Sequence, residues 1–205
     1  MDKKIIITIG RQNGSDGTEV AEAIGKKLGI DVYDNKLISK AAADSGFSSE
    51  IFSRNDEKKN IFKFSTFCSN ILMSSLGDNC CLDENEIFRI QSEVIRDIAN
   101  NNSAVIVGRC SDYILRDMPN VIDVFITAPL AYRIDKIAQV NGISSEEAEN
   151  LVQRRDRDRE TYYNYFTFSN WGAADNYDLC IDSTILGVDA TADYIIEFAR
   201  IKGLL

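Results

Sequence analysis

A short β-branched run that breaks into a glycine-bearing loop and then a helix constrains this chain more than any other stretch. Ile5-Ile6-Ile7-Thr8-Ile9 has the length and side-chain type of a strand buried in a parallel sheet. Gly10 to Gly17 follows as a polar loop holding three glycines. Thr18 to Leu28 then puts Val20, Ala21, Ile24 and Leu28 on one helical face, and Gly29 suits the C-cap.

The alternation continues down the chain. Val32-Tyr33 reads as a short second strand ending at Asp34-Asn35, and Lys36 to Ala43 as a helix. Asp83-x-x-Glu86 opens another helix, with Ile87, Ile90, Val94, Ile95 and Ile98 on its apolar face. Ala104–Val107 and Val121–Thr127 are further strands, and Pro129 suits the first turn of the helix after them. A helix from about Ser145 to Glu160, a strand at Leu179-Cys180-Ile181 and a helix over Ala190–Ile201 complete the order. This predicts an α/β fold over residues 1–205, a three-layer parallel sheet of about five strands with helices on both faces. Residues 45–82 mix Ser, Asn and Phe with weak periodicity and read as a helical insertion or mobile subdomain. Ligands in such sheets lie beyond the carboxyl ends of the strands, so Gly10–Gly17, Asp34, Gly108-Arg109 and the Pro129 helix are expected near one another.

Composition removes several classes of function. The formal charge of −9 argues against a general nucleic-acid binder. No apolar run approaches the roughly 20 residues that span a bilayer. No signal peptide is evident after Met1-Asp2-Lys3-Lys4, so a cytoplasmic location is expected. Cys68, Cys80, Cys81, Cys110 and Cys180 are odd in number and lack C-x-x-C spacing, which fits reduced, mostly buried thiols. Histidine is absent, which excludes Ser-His-Asp and Cys-His chemistry and His-based metal sites. An enzyme with this inventory works with carboxylates, arginines, lysines and backbone amides, the groups phosphoryl transfer uses.

Four features carry chemistry. In Gly10-Arg11-Gln12-Asn13-Gly14-Ser15-Asp16-Gly17-Thr18, backbone N–H groups and a helix N-terminus can converge on an anion. The strict pattern G-x-x-x-x-G-K-[ST] is not met, and a structural β–α turn is the other reading. Arg109, after a strand and a glycine, can clamp a phosphate or carboxylate, or sit in a surface salt bridge. Asp34 can accept from a ribose hydroxyl or a base, or can cap the following helix. Arg154-Arg155-Asp156-Arg157-Asp158-Arg159 presents Arg154 with Arg157 at i, i+3 and Arg155 with Arg159 at i, i+4. Four arginines in six residues of an acidic chain suit a polyphosphate; the other reading is a solvated helix pairing Arg154 with Asp158 and Asp156 with Arg159. The aromatic stretch Tyr162 to Phe168 reads as packing or as a contact between the copies of a homodimer.

Taken in order, these segments resemble the cytidylate kinase-like family, a branch of the nucleoside monophosphate kinases. The resemblance rests on Ile7-Thr8-Ile9 leading to Gly14-Ser15-Asp16-Gly17, on Tyr33-Asp34-Asn35-Lys36-Leu37-Ile38, and on Val105-Ile106-Val107-Gly108-Arg109-Cys110. It continues through Val124-Phe125-Ile126-Thr127-Ala128-Pro129-Leu130 with Arg133, Arg155-Asp156-Arg157-Asp158-Arg159, and Tyr177-Asp178-Leu179-Cys180-Ile181-Asp182-Ser183-Thr184. It implies a P-loop kinase type of fold with a lid at about 154–172 and an acceptor-binding subdomain at about 45–82. It implies transfer of the γ-phosphoryl of ATP, with Mg²⁺, to a nucleoside monophosphate such as CMP. Gly14, Ser15, Asp16, Gly17 and Thr18 would then hold the ATP phosphates, with Thr18 the metal ligand. Asp34, Arg109, Arg133 and Arg155 would contact the acceptor, and Arg157, the foremost choice, and Arg159 would act with Arg11 in catalysis.

The sequence also departs from cytidylate kinases proper. It has Gly17 where they carry the loop lysine, Arg11 where their loop begins with glycine, and Arg109-Cys110 where they read Arg-Asp. Arg11 is therefore expected to take the lysine's place. A nucleotide-binding module with little turnover and a kinase for another small phosphate acceptor stay open as alternatives. The expected partners are small nucleotides rather than a nucleic-acid polymer or a membrane.

Overall fold

The computed structural model describes residues 4–38 and 84–205. The insertion read at 45–82, most of the helix read at 36–43, and Cys68, Cys80 and Cys81 lie outside the described residues. Elements are numbered below as they occur among those described. They run β1 (Ile6–Arg11), α1 (Gly17–Leu28), β2 (Asp31–Tyr33), α2 (Glu84–Asn101), β3 (Ala104–Val107) and α3 (Ser111–Leu115), then β4 (Val121–Thr127), α4 (Leu130–Asn141), α5 (Ser145–Thr167), a 3₁₀ turn at Ala174–Asn176, β5 (Leu179–Asp182) and α6 (Ser183–Ile201).

The five strands form one sheet in the order β2-β3-β1-β4-β5, every pairing parallel. β1 is central: Ile7 lies opposite Val105 on one side and Ile122 on the other. Both of its faces are covered, which is why it reads as an unbroken apolar run. Ile6, Ala104, Ile106 and Val121 pack with α2, α3 and Tyr163 of α5. Ile5, Ile7, Ile9, Val105, Val107, Ile122, Val124 and Ile126 pack with α1 and α6 on the opposite face. Strand alternation thus divides the core into two halves and gives the three layers expected from the sequence.

Local chemistry sets the helix ends. Gly29 takes the left-handed conformation (φ 65°) and its N–H reaches Gly25 O, closing α1 as expected. Ser144 and Glu147 form a reciprocal capping box at the start of α5. α5 then runs past the expected Glu160 to Thr167. Its aromatic residues are the reason: Phe166 stacks on Phe88 of α2 at 4.2 Å, and Tyr162 meets the same ring edge-on at 6.4 Å. Packing therefore extends the helix through residues of modest helical propensity. α6 begins at Ser183, before the expected Ala190, because a first turn precedes a break at Gly187 (φ 74°). No helix among the described residues is long and apolar enough to cross a membrane.

Candidate functional site

β1 and β3 are neighbours whose chains leave the sheet on opposite faces, β1 into α1 and β3 into α3. Such a divergence opens a crevice beyond the strand ends, where open α/β sheets bind ligands. Arg11, Gly108 and Arg109 meet at this crevice, and the two strand ends are tied by Gly108 N–H donating to Ile9 O at 3.0 Å.

The loop after β1 is fixed from the side away from the crevice. Ser15 is buried, and its hydroxyl lies 2.9 Å from Gln12 O and 3.0 Å from Ile126 O. Ser183 Oγ donates to Ser15 O at 2.9 Å, which ties the loop to the start of α6. Gly14 (φ 80°) lies so close to α4 that a Cβ there would stand 3.0 Å from Arg133 O. Asp16, left-handed at φ 59°, accepts from Tyr132 Oη at 2.7 Å and from Lys136 Nζ. Lys136 also reaches Glu19. The first-turn N–H groups of Gly17, Thr18 and Glu19 find no acceptor among the described residues, leaving the partial positive charge of a helix N-terminus available. Thr18 is exposed there.

Arg133 and Asp156 complete the clamp. Arg133 is 7% exposed and donates through Nε to Ala128 O at 3.0 Å and through Nη1 to Asp156 Oδ2 at 2.6 Å. Asp156 Oδ1 accepts from Asn13 N–H at 2.7 Å. A side chain expected to serve an acceptor thus ties α4 and α5 to the loop, and an internal carboxylate already holds one loop amide.

Arg11 differs from Arg133 in every respect. It closes β1, paired with Ile126, rather than lying in the loop. Its stem lies across Gly17, where a Cβ would meet Arg11 Cβ at 2.5 Å and Cγ at 2.9 Å. Its guanidinium lies against Gly108. Its Nε is buried without a hydrogen-bond partner among the described residues. Burial first, then the charges of Arg159 and Arg109, pull its pKa down to about 9, with Asp34 opposing. Arginine keeps its proton at neutral pH even so, and the group stands as a positive charge short of counter-charge.

Arg109 is aimed by unusual backbone. Gly108, Arg109 and Cys110 are all left-handed, with φ of 74°, 60° and 56°. Two of the three carry side chains, so the turn stores strain of about 1–3 kcal/mol per residue. The guanidinium stacks over Tyr162 at 4.4 Å, with Nε 3.0 Å from Gln91 Oε1 and Nη2 2.7 Å from Tyr162 Oη. Asp34 Oδ1 accepts from Leu37 N–H at 2.9 Å, the helix-capping geometry, while its charge faces Arg11.

The arginine run sits in the middle of α5. Arg159 donates to Arg11 O at 3.3 Å and stands 3.7 Å from Asp156. Burial lowers its pKa, Asp156 opposes, and Arg155 and Arg133 lower it further. Arg155 and Arg159 are half-buried on one face; Arg154 and Arg157 are exposed. The structure therefore gathers Arg11, Arg109 and Arg159 with Asp34 and sets Arg155 beside Arg159. It puts Arg157, the foremost expectation, on the solvent side and Arg133 in the clamp. Sequence reasoning missed Gln91, Tyr162, Lys136 and the clamping role of Asp156. Gln91 had a signal: it directly follows Ile90 on the apolar side of α2 and is buried.

The strand order, the loop at the carboxyl edge and the helix layers define a P-loop kinase type of fold. Shikimate kinases from Bacteroides thetaiotaomicron and Acinetobacter baumannii share it, each at a TM-score of 0.53 and at 10% and 12% identity. The first match covers 96% of this chain and 98% of that one, the second 100% and 97%. Within that class, the chain belongs to the cytidylate kinase-like family, which residues 6–185 match. It is 25% identical to a cytidylate kinase of Methanopyrus kandleri over 91% of this chain and 89% of that one. It is 27% identical to one of Methanosarcina barkeri over 86% of each. A solved protein from Eubacterium ventriosum superposes at a TM-score of 0.73 with 27% identity, covering 96% of this chain and 99% of that one.

Proposed function

We propose that this chain is an ATP-dependent kinase whose acceptor is a nucleoside monophosphate, a pyrimidine nucleotide such as CMP. The observation that carries the reading is Arg11, whose buried Nε meets no hydrogen-bond acceptor among the described residues and whose charge faces Arg109 and Arg159 beside Asp34 at the mouth of the β1–β3 crevice. Like charges held together at a cost to the fold fit a polyanionic ligand.

The residues fit ATP: an orphaned buried donor and free first-turn amides both await negative charge. They also fit Mg²⁺, which keeps several waters and takes few protein oxygens when it arrives with phosphates; exposed Thr18 Oγ1 supplies one. Bound ATP supplies the γ-phosphoryl group, whose bond to the β–γ bridging oxygen breaks as an acceptor phosphate oxygen bonds to phosphorus and ADP leaves.

The chain's own part is positioning and charge. The α1 N-terminus, with Gly17 and Thr18, binds the donor phosphates. Arg109, held by Gln91 and Tyr162, fixes the acceptor phosphate. Arg155 and Arg159 approach from α5, the lid helix, while Asp34 takes the acceptor's ribose or base.

A thermal-shift panel of ATP–Mg²⁺, CMP, UMP, AMP and dCMP tests this. At about 100 times its Kd a ligand stabilises by about 2.7 kcal/mol, a readable shift. Shifts with ATP and one monophosphate, followed by ADP release, are expected. No shift with any nucleotide sinks the reading. The alternative, a nucleotide-binding module of low turnover, draws on Asp156 holding the Asn13 amide that a phosphate would use. A shift with ATP alone and no ADP release would favour it.

A further inference from the structure

Positions 11 and 17 compete for one volume. Residue 17 is the first of α1, and its Cβ direction points into the Arg11 stem, 2.5 Å from Cβ and 2.9 Å from Cγ. Real Cβ atoms do not approach that closely, so any side chain at 17 must displace Arg11. The converse also holds: removing the Arg11 stem opens the path along which a side chain at 17 would project. Beyond that path the Arg11 guanidinium lies against Gly108, whose missing Cβ makes room for it.

A structural role does not account for this arginine. Among the described residues its Nε, sealed from solvent, meets no hydrogen-bond acceptor. Two arginines face it against a single carboxylate, Asp34. A buried donor left in this condition destabilises a fold. It is kept where a ligand arrives to complete it.

We infer that Arg11 and Gly17 form an exchanged pair, in which the strand-end arginine supplies, through the space above Gly17, the cation that a long basic side chain at position 17 would otherwise supply. The inference rests on the phosphoryl-transfer reading above and deepens it. Arg11 runs from the α1 N-terminus, where donor phosphates bind, to the Gly108-Arg109 turn, where the acceptor binds. Its guanidinium stands where a phosphoryl group passes between them, and a planar fork of donors can hold two of its oxygens. Glycine at 17 and glycine at 108 are then requirements of this route.

Four variants test it: Arg11→Met, Arg11→Gly, which also removes the Cβ that crowds position 17, Gly17→Lys, and Arg11→Gly with Gly17→Lys. Each is measured for melting temperature, ATP–Mg²⁺ affinity by calorimetry, and kcat. Arg11→Met should lower kcat on the order of a hundredfold or more while the melting temperature without nucleotide holds or rises. Gly17→Lys alone should melt well below wild type. The double variant should recover the melting temperature of Arg11→Gly, bind ATP more tightly than Arg11→Gly, and regain on the order of tenfold in kcat.

Two results overturn the exchange. One is a Gly17→Lys melting penalty that persists when Arg11 is removed, which is readable whatever the turnover. The other is a wild-type kcat in Arg11→Met. A wild-type protein that binds no nucleotide overturns instead the kinase reading on which the inference stands.

Discussion

Arg133 and Arg11 lie on opposite sides of the same loop and have opposite circumstances. Arg133 is bonded to Ala128 O, Asp156 and, at 3.4 Å, Asn13 O. Arg11 has a buried Nε with nothing to donate to among the described residues, and two like charges in view. Sequence alone ranks them together, as arginines near phosphate-loop elements. Their surroundings separate them: a buried cation whose bonds are all made within the chain is architecture, and one whose bonds are missing is held for something else.

The largest expected effect is on the satisfied member. Arg133→Ala leaves Asp156 half-buried without its closest cation and frees the loop from α4. Breaking a buried pair costs about 3–5 kcal/mol, so urea denaturation should show a loss of that order. A loss below about 1 kcal/mol would erase the distinction between the two arginines. Next comes Gly108→Ala. The position is left-handed at φ 74°, so the methyl costs about 1 kcal/mol of backbone strain. It would also meet Arg11 Nη1, the mobile end of a long side chain, and turn the guanidinium away from the crevice. kcat should therefore fall, whereas in an Arg11→Ala background the same change should leave kcat where Arg11→Ala puts it. Equal falls in both backgrounds would place the guanidinium somewhere other than the crevice.

Activity provides a third comparison. Tyr162→Phe keeps the ring under Arg109 but removes the hydroxyl 2.7 Å from Nη2. The acceptor KM should rise several-fold, about 1 kcal/mol, with the ATP KM unchanged. An equal change in both would show that Arg109 does not distinguish acceptor from donor.

These contrasts mark how far the sequence could be read. The β1–loop–α1 unit and the sheet edge were legible because burial on both faces leaves an unbroken β-branched run and each helix leaves a 3.6-residue stripe. Gly29 announced its own cap. α5 was cut short at Glu160 because Tyr162, Tyr163 and Phe166 look unlike helix until α2 supplies rings for them to meet. The site was legible as a set of residue types but not as partners. Arg155 and Arg159 share a face by spacing, yet nothing local says that this face turns inward while Arg157 turns out. Arg11 stood out by its departure from the family pattern. That its stem crosses Gly17 depends on how β1 and α1 meet in space, which no spacing encodes.

The last comparison brings in a carboxylate whose charge burial disfavours, as it does that of Arg11, with the sign reversed. Asp123, on β4, accepts from Thr8 Oγ1 at 2.6 Å. Burial pushes its pKa up to about 6 against the pull of the Thr8 bond, with Asp112 and Asp178 adding to the rise and Lys202 opposing it. An acid whose folded pKa lies above its unfolded value of about 3.9 adds nothing below that value. Stability then falls as pH rises through the window from about 4 to 6, since only the unfolded chain has released its proton there. Above about 6 the whole cost is present. Asp123→Asn keeps an acceptor for Thr8 and removes the charge, so it should stabilise by about 1–2 kcal/mol at pH 7.5. That gain should shrink to nothing by pH 4. No gain at pH 7.5 would mean that Asp123 is compensated, as Arg133 is, and a gain that stays constant across this range would mean that it does not come from the charge.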